Sequence, residues 1–106
     1  MGMESLQVTD AQSARVQKTP HRVSLEDISA KIQEVDYVRP SLEPTMTICL
    51  VKMQNGFIVI GKSAPADPNN FDRELGEKFA FEDAVRQIWP LEGYALRERL
   101  LAGEGV

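Results

Sequence analysis

Two short stretches carry the side chains best suited to chemistry. Near the C-terminus, Arg97-Glu98-Arg99 places two guanidinium groups within one helical turn, and an arginine fork can hold a phosphate through two parallel hydrogen bonds. Upstream, Asn69-Asn70-Phe71 falls at an expected helix start, where free N–H groups and the helix dipole attract anions. Phe71 offers a flat face on which a base can stack. Asn70, Phe71, Arg97 and Arg99 are therefore the expected ligand-binding residues. Each also has a structural reading: asparagine as an ordinary cap, Phe71 on a core stripe, and the arginines on a solvated face beside Glu98.

Catalysis has less to work with. His21 and Cys49 are the single His and the single Cys, far apart in the chain, so no ligand cluster with metal spacing is present. Cys49 lies among Ile and Leu, where a thiol behaves as a small hydrophobe, and His21 lies in a polar segment. The acidic pairs Glu82-Asp83 and Asp72 with Glu74 read as solvated helix positions, and general acid–base work would need burial. Gly61-Lys62-Ser63 echoes the end of a phosphate loop but lacks the upstream glycine. The expectation is a binding protein and not an enzyme, with no catalytic residue, no metal and no cofactor.

Composition sets the frame. A chain of 106 residues is one domain, with a hydrophobic share of 42% and a charged share of 26% that suit a globular fold. The net charge of −4 argues against a general DNA or anionic-membrane binder, yet leaves room for a small anion held by local arginines. No apolar run reaches membrane-spanning length, and one cysteine gives no internal disulfide framework. The cytoplasm is the expected location.

These residues must be positioned by a small set of elements. Residues 1–23 read as a flexible N-terminal tail and 24–106 as a single α+β domain. Ser24-Leu25-Glu26-Asp27 signals a helix start, continued by Ile28 and Ile32 and fading near Gln33 or Glu34. Val35, Tyr37 and Val38 favour extended structure, and Pro40 and Pro44 punctuate a loop. Thr45–Met53, then Asn55-Gly56, then Phe57–Ile60 predict a β-hairpin with a two-residue type I′ turn. That register pairs Met53 with Ile58, Lys52 with Val59 and Val51 with Ile60. It leaves both hairpin faces apolar, so both need cover, by a second subunit or by helices. Asp67-Pro68 predicts the start of a helix, Gly76 a close approach by another backbone, and Pro90 a break before a second helix over Leu91–Leu101 that stops at Gly103. The expected fold is α+β, an antiparallel β-hairpin or small sheet followed by a C-terminal helical hairpin.

From Val35 to Leu100 the combined string also carries a resemblance. Asn55-Gly56-Phe57, Gly61-x-Ser63-Ala64, Asn70-Phe71-Asp72-x-Glu74-x-Gly76-x-Lys78, Glu82-Asp83-Ala84, Ile88-Trp89-Pro90-Leu91-Glu92-Gly93-Tyr94 and Leu96-Arg97-Glu98-Arg99-Leu100 resemble a family of small phage and prophage proteins. The chain departs from it at Pro65, where other members are expected to carry Cys. The family in turn is similar to the Thoeris anti-defence one proteins. That resemblance implies a dimer or higher homo-oligomer in the host cytoplasm that binds a cyclic ADP-ribose-type signal or a cyclic oligonucleotide and does not degrade it. It implies base stacking on Phe71 and phosphate contacts from Arg97 or Arg99.

The functional expectation is thus a phage anti-defence protein that sequesters a cyclic nucleotide signal. The alternative is a phage protein–protein interaction module that inhibits a host protein and binds no nucleotide. A hydrolase of the same signals lacks the side chains it would need.

Overall fold

The computed structural model describes residues 4–103. Met1–Met3 and Glu104–Val106, the outer ends of the expected tail and domain, lie outside the described residues. In chain order the elements are α1 (Glu4–Arg15), α2 (Leu25–Ala30), β1 (Ile32–Val38), β2 (Thr47–Met53), β3 (Ile58–Ser63), a 3₁₀ turn (Pro68–Asn70) and α3 (Arg73–Leu101). The strands form one antiparallel sheet in the order β1-β2-β3. The α+β class holds: a small antiparallel sheet followed by a C-terminal helical element.

The capping signal at Ser24 is realised in full. Ser24 Oγ accepts the Asp27 N–H at 3.0 Å and Asp27 Oδ2 accepts the Ser24 N–H at 2.9 Å, the reciprocal pair of a capping box. The helix stops at Ala30, earlier than the sequence predicts, because Ile32 already pairs with Met53 across the sheet. β1 takes up the extended preference of Val35, Tyr37 and Val38 as the sheet's third strand.

The hairpin falls where the sequence predicts, but its register differs by one residue. Lys52 pairs with Ile58, Val51 with Val59 and Leu50 with Ile60. The Met53 N–H donates to the Phe57 carbonyl at 2.8 Å, closing a three-residue loop over Gln54, Asn55 and Gly56. Gly56 has φ +90° and no non-glycine residue has positive φ among those described. A type I′ turn needs positive φ at both central positions, so Asn55 excludes it here. Since side chains alternate along a strand, a one-residue slip exchanges the faces of β3. Val59 enters the core at 5% exposure, whereas Ile58 and Ile60 face outward at 44% and 53%.

Gly61 explains this choice. In the observed register it faces α3, and a Cβ added there would lie 2.0 Å from the Ala80 carbonyl oxygen and 2.6 Å from the Ala84 amide nitrogen. The bare Cα of Gly61, with Ala80 and Ala84 opposite, brings the helix backbone directly onto β3. α3 runs antiparallel to β3 and covers the inner face, where Thr47, Cys49, Val51, Met53 and Val59 meet Ala80, Ala84, Val85 and Ile88. At the other end of the contact Gly76 lies under Thr47, whose Oγ1 would be 2.8 Å from an added Cβ. The close approach expected at Gly76 is therefore made by a threonine side chain. The free edge of β3 is also engaged, since Gln87 Nε2 donates to the Ile60 carbonyl and the Lys62 N–H donates to Asp83 Oδ2.

Three further expectations change. Asp67 caps only the 3₁₀ turn, because Phe71 is extended at φ −63°, ψ 133°. The long helix begins at Arg73 with Asp72 as its cap, Asp72 Oδ1 accepting the Leu75 N–H at 3.0 Å. Second, Pro90 lies inside α3, a single helix of 29 residues. Proline removes one backbone bond, but Ile88 on one side of it is buried and Trp89 packs against the core, so tertiary packing carries the helix through. The chain ends this helix where the sequence predicts, with Gly103 at φ +78° beyond Ala102. Third, where a loose tail is expected, Glu4–Arg15 form α1. Leu6 is buried, Ser5 Oγ donates to Glu82 Oε2 at 3.2 Å, and Asp10 pairs with Arg22 at 2.7 Å. One buried apolar residue gives no readable period, and the anchors are long-range.

Two substitutions test this packing. Gly61→Ala forces backbone against backbone and should destabilise the protein by about 3 kcal/mol in urea unfolding. Thr47 is 1% exposed and its hydroxyl has no hydrogen-bond partner among the described residues. Thr47→Val removes a buried unsatisfied hydroxyl at nearly constant shape and should stabilise the protein by about 1 kcal/mol.

Candidate functional site

A cleft opens at the hairpin end of the molecule, where α3 outruns the sheet. Its volume is about 530 Å³, within the range of small-molecule sites. The hairpin loop supplies Gln54, Asn55 and Phe57, α3 supplies Leu91, Glu92, Ala95 and Arg99, and Lys31 stands between them. The sequence builds this corner locally. Lys31 is the C-cap of α2, and its carbonyl accepts the Gln54 N–H at 2.8 Å, while Gln54 Nε2 reaches the Ile32 carbonyl at 3.3 Å. The hairpin loop is thereby tied to the junction of α2 and β1. Lys31 Nζ meets Glu92 Oε1 at 2.7 Å, joining that junction to α3.

A second cleft of about 310 Å³ lies on the other side of this ion pair, lined by Pro20, His21, Arg22, Val23, Leu96 and again Lys31, Glu92 and Arg99. Trp89 holds its wall, its indole N–H donating to the Val23 carbonyl at 2.9 Å. Arg99 borders both clefts and makes no ion pair or hydrogen bond through its side chain among the described residues. With Lys31 neutralised by Glu92, Arg99 is the uncompensated cation of this corner. Phe57 is 56% exposed and presents an aromatic ring to the larger cleft. The arrangement offers a ring to stack on, amides to read polar edges and a guanidinium for an anion.

The expected binding residues do not converge in the folded chain. Arg99 lines the clefts just described, and Arg97 is exposed on α3 outside them. Asn70 and Phe71 lie at the opposite end of the sheet, bordering a third cleft of about 180 Å³ with Ser63, Pro65, Leu75 and Phe79. At 1.5 Å per helical residue, Phe71 and Arg99 are roughly 40 Å apart. Phe71 is further engaged by Arg39, whose guanidinium carbon sits 5.7 Å from the ring centroid, a cation–π distance. Asn70 belongs to a three-residue 3₁₀ turn and not to the α3 N-terminus. Sequence reasoning missed Lys31, Asn55 and Phe57 as cleft residues. The one available signal was the aromatic directly after the Asn-Gly turn.

Cys49 is fully buried, as a mid-strand thiol should be. It faces Tyr37 across β1 and β2. Burial, opposed by a hydrogen bond from Tyr37, pushes the Cys49 thiol up to about 11. Burial, followed by the neighbouring thiol, pushes Tyr37 up to about 12. A thiol so protonated is a poor nucleophile, and it contributes to packing. Among the described residues no group of three or more His, Cys, Asp or Glu is placed to hold a metal ion, and no helix is long and apolar enough to cross a membrane.

Fold and clefts together define a small α+β protein: a three-stranded meander backed by one long helix, with a cleft at the hairpin tip. The chain belongs to the phage protein (N4 Gp49/phage Sf6 gene 66) family, whose model matches residues 23–100. No curated protein and no solved structure matches it. The matched span begins at Val23, the residue that Trp89 pins, and so includes α2 but not α1.

The buried Cys49 thiol and the part-buried Tyr37 phenol make stability depend on alkaline pH. Both groups hold their protons longer in the folded state, so the unfolded state binds fewer protons above pH 9 and stability falls as pH rises. Between pH 9 and 11 the Cys49 contribution should cost on the order of 2 kcal/mol. In chemical denaturation at stepped pH, Cys49→Ala should flatten that decline while leaving the part between pH 10 and about 12 that belongs to Tyr37.

Proposed function

We propose that this phage-family protein binds a cyclic nucleotide signal, of the cyclic ADP-ribose type or a cyclic oligonucleotide, and holds it intact. The observation that carries this reading is the hairpin-end cleft, where an unpaired Arg99 stands across from the exposed ring of Phe57 and the amides of Gln54 and Asn55. Arginine can take a phosphate bidentately, an aromatic face takes a base with little regard to its identity, and amides can bond base or ribose edges. The side chains in the cleft bind and orient; its one carboxylate, Glu92, is held by Lys31.

The resemblance to cyclic-nucleotide sponges supports the same reading, and within it the anti-defence role is stoichiometric capture in the host cytoplasm. A sponge must compete with the receptor of the signal, which requires a Kd on the order of nanomolar, about −12 kcal/mol. Because the whole chain carries a net charge of −4, attraction for an anionic ligand rests on this local corner. Affinity should therefore weaken as salt rises.

Isothermal titration against cyclic ADP-ribose isomers and cyclic di- and trinucleotides tests the proposal. One class should bind tightly and be recovered unchanged after the protein is denatured. Arg99→Ala and Phe57→Ala should each weaken it at least tenfold, whereas Arg97→Ala should change affinity less than threefold. Absence of heat and of thermal stabilisation across the panel would reject the reading, and a ligand returned cleaved would make the protein an enzyme.

A further inference from the structure

The hairpin loop carries reactive groups that neither the packing nor the cleft uses. Asparagine stands at positions 55, 69 and 70, and only Asn55 precedes a glycine. Gly56 has no Cβ to crowd its backbone nitrogen, and a Cβ built there would meet nothing within 4 Å. Gln54, Asn55, Gly56 and Phe57 are all exposed, so water reaches the loop. Asn55 Oδ1 accepts the Phe57 N–H at 3.0 Å. This bond folds the carboxamide forward over Gly56 and polarises its carbonyl. The Gly56 N–H itself donates to the Met53 carbonyl at 2.8 Å. That is a single turn bond at the tip of the hairpin, and it can open while Lys52 and Ile58 stay paired behind it. Asn70 is the contrast. It precedes Phe71, whose Cβ stands beside the nitrogen and whose N–H is held by the Pro68 carbonyl at 3.1 Å.

We propose that Asn55 is a site of spontaneous modification, converted by the amide nitrogen of Gly56 into aspartate and isoaspartate. When the turn bond opens, base removes the Gly56 amide proton and the nitrogen attacks Asn55 Cγ. The Phe57 N–H donates to the oxygen that takes up the negative charge, as an oxyanion donor does. The N–Cγ bond forms, the Cγ–Nδ2 bond breaks, and Nδ2 leaves with a proton as ammonia. A cyclic imide remains, and water adds to one of its two carbonyls. Opening at Cγ leaves aspartate. Opening at the Asn55 backbone carbonyl leaves isoaspartate, with the main chain routed through the side chain. One water enters and one ammonia leaves, with no oxidant or reductant. Either product puts a carboxylate on the wall of the cleft that Asn55 shares with Arg99. That charge repels an anion, so capture weakens as the protein ages; this consequence rests on the proposed ligand reading, whereas the modification itself does not.

Peptide mass spectrometry of the folded, full-length chain tests it. The protein is held in mildly alkaline buffer, digested at acidic pH, and labelled with isoaspartyl methyltransferase. The peptide containing Asn55 should exchange its amide for a carboxylate, pass through an imide short by one ammonia, and take up the isoaspartyl label. Its rate should rise with hydroxide. It should exceed the rate at Asn69 and Asn70 on the order of tenfold or more, because only Asn55 is followed by a residue without a Cβ. Gly56→Ala should slow the reaction by a similar factor. Since alanine is strained at φ +90°, Asn55→Gln is the second variant: it keeps an amide but must close a larger ring, and the label should disappear. No ligand enters the assay, so its outcome is separate from that of the titrations. An unmodified Asn55 in the folded chain would overturn the proposal, and conversion of the same residue in urea would then locate the protection in the hydrogen bonds of the loop. A label retained in Asn55→Gln, or equal rates at Asn55 and Asn70, would overturn it as well.

Discussion

The contact on which this molecule depends is the backbone-to-backbone approach of α3 onto β3 at Gly61. Ala80 and Ala84 lie where any side chain at position 61 would have to go. This approach fixes how deep the helix sits and therefore which strand residues meet Val85 and Ile88. It also decides the parity of the hairpin. Both registers of β3 would bury aliphatic side chains, because Ile58, Val59 and Ile60 alternate apolar residues onto both faces. Only one register aims Gly61 at the helix, and the three-residue loop with Gly56 in the left-handed region delivers it.

The same contact places the cleft. Because α3 lies antiparallel to β3 and is far longer, its C-terminal turns project past the strand ends at the hairpin loop. The overhang, the loop and the α2–β1 junction then enclose a space that none of them could form alone. Lys31 and Glu92 brace it across, and Arg99 is left about two turns further out with its charge unspent. The opposite end of the sheet has no such overhang, and its aromatic residue, Phe71, is held by Arg39.

Much of this was legible in the sequence wherever the signal is local. The capping box at Ser24, the hairpin at Asn55-Gly56, the buried character of Cys49 and the stop at Gly103 all follow from neighbouring residues. Register was not legible, because Asn-Gly serves both a two-residue turn and the last positions of a three-residue loop, and the difference is the sign of φ at Asn55. Pro90 misleads for the converse reason: its local cost is clear, while the packing of Ile88 and Trp89 that outweighs it is distant in sequence. At the site, Arg99 could be picked by residue type, but Lys31 and Phe57 are brought to it only by tertiary folding. Phe71 and Asn70 share a motif with one another and not with the arginines.

α1 stands apart energetically. It is joined to the rest by Leu6, by Ser5 on Glu82 and by Asp10 on Arg22 and the Leu25 N–H, while its remaining surface is exposed. Such a segment opens at a free energy well below that of global unfolding. Its amides exchange with solvent long before those of β2, which is hydrogen-bonded on both sides. Each opening uncovers the carboxylate of Glu82, otherwise 3% exposed, and hands a protease an unwound substrate. Turnover of this protein in a cell is then governed less by its core than by how often twelve residues let go.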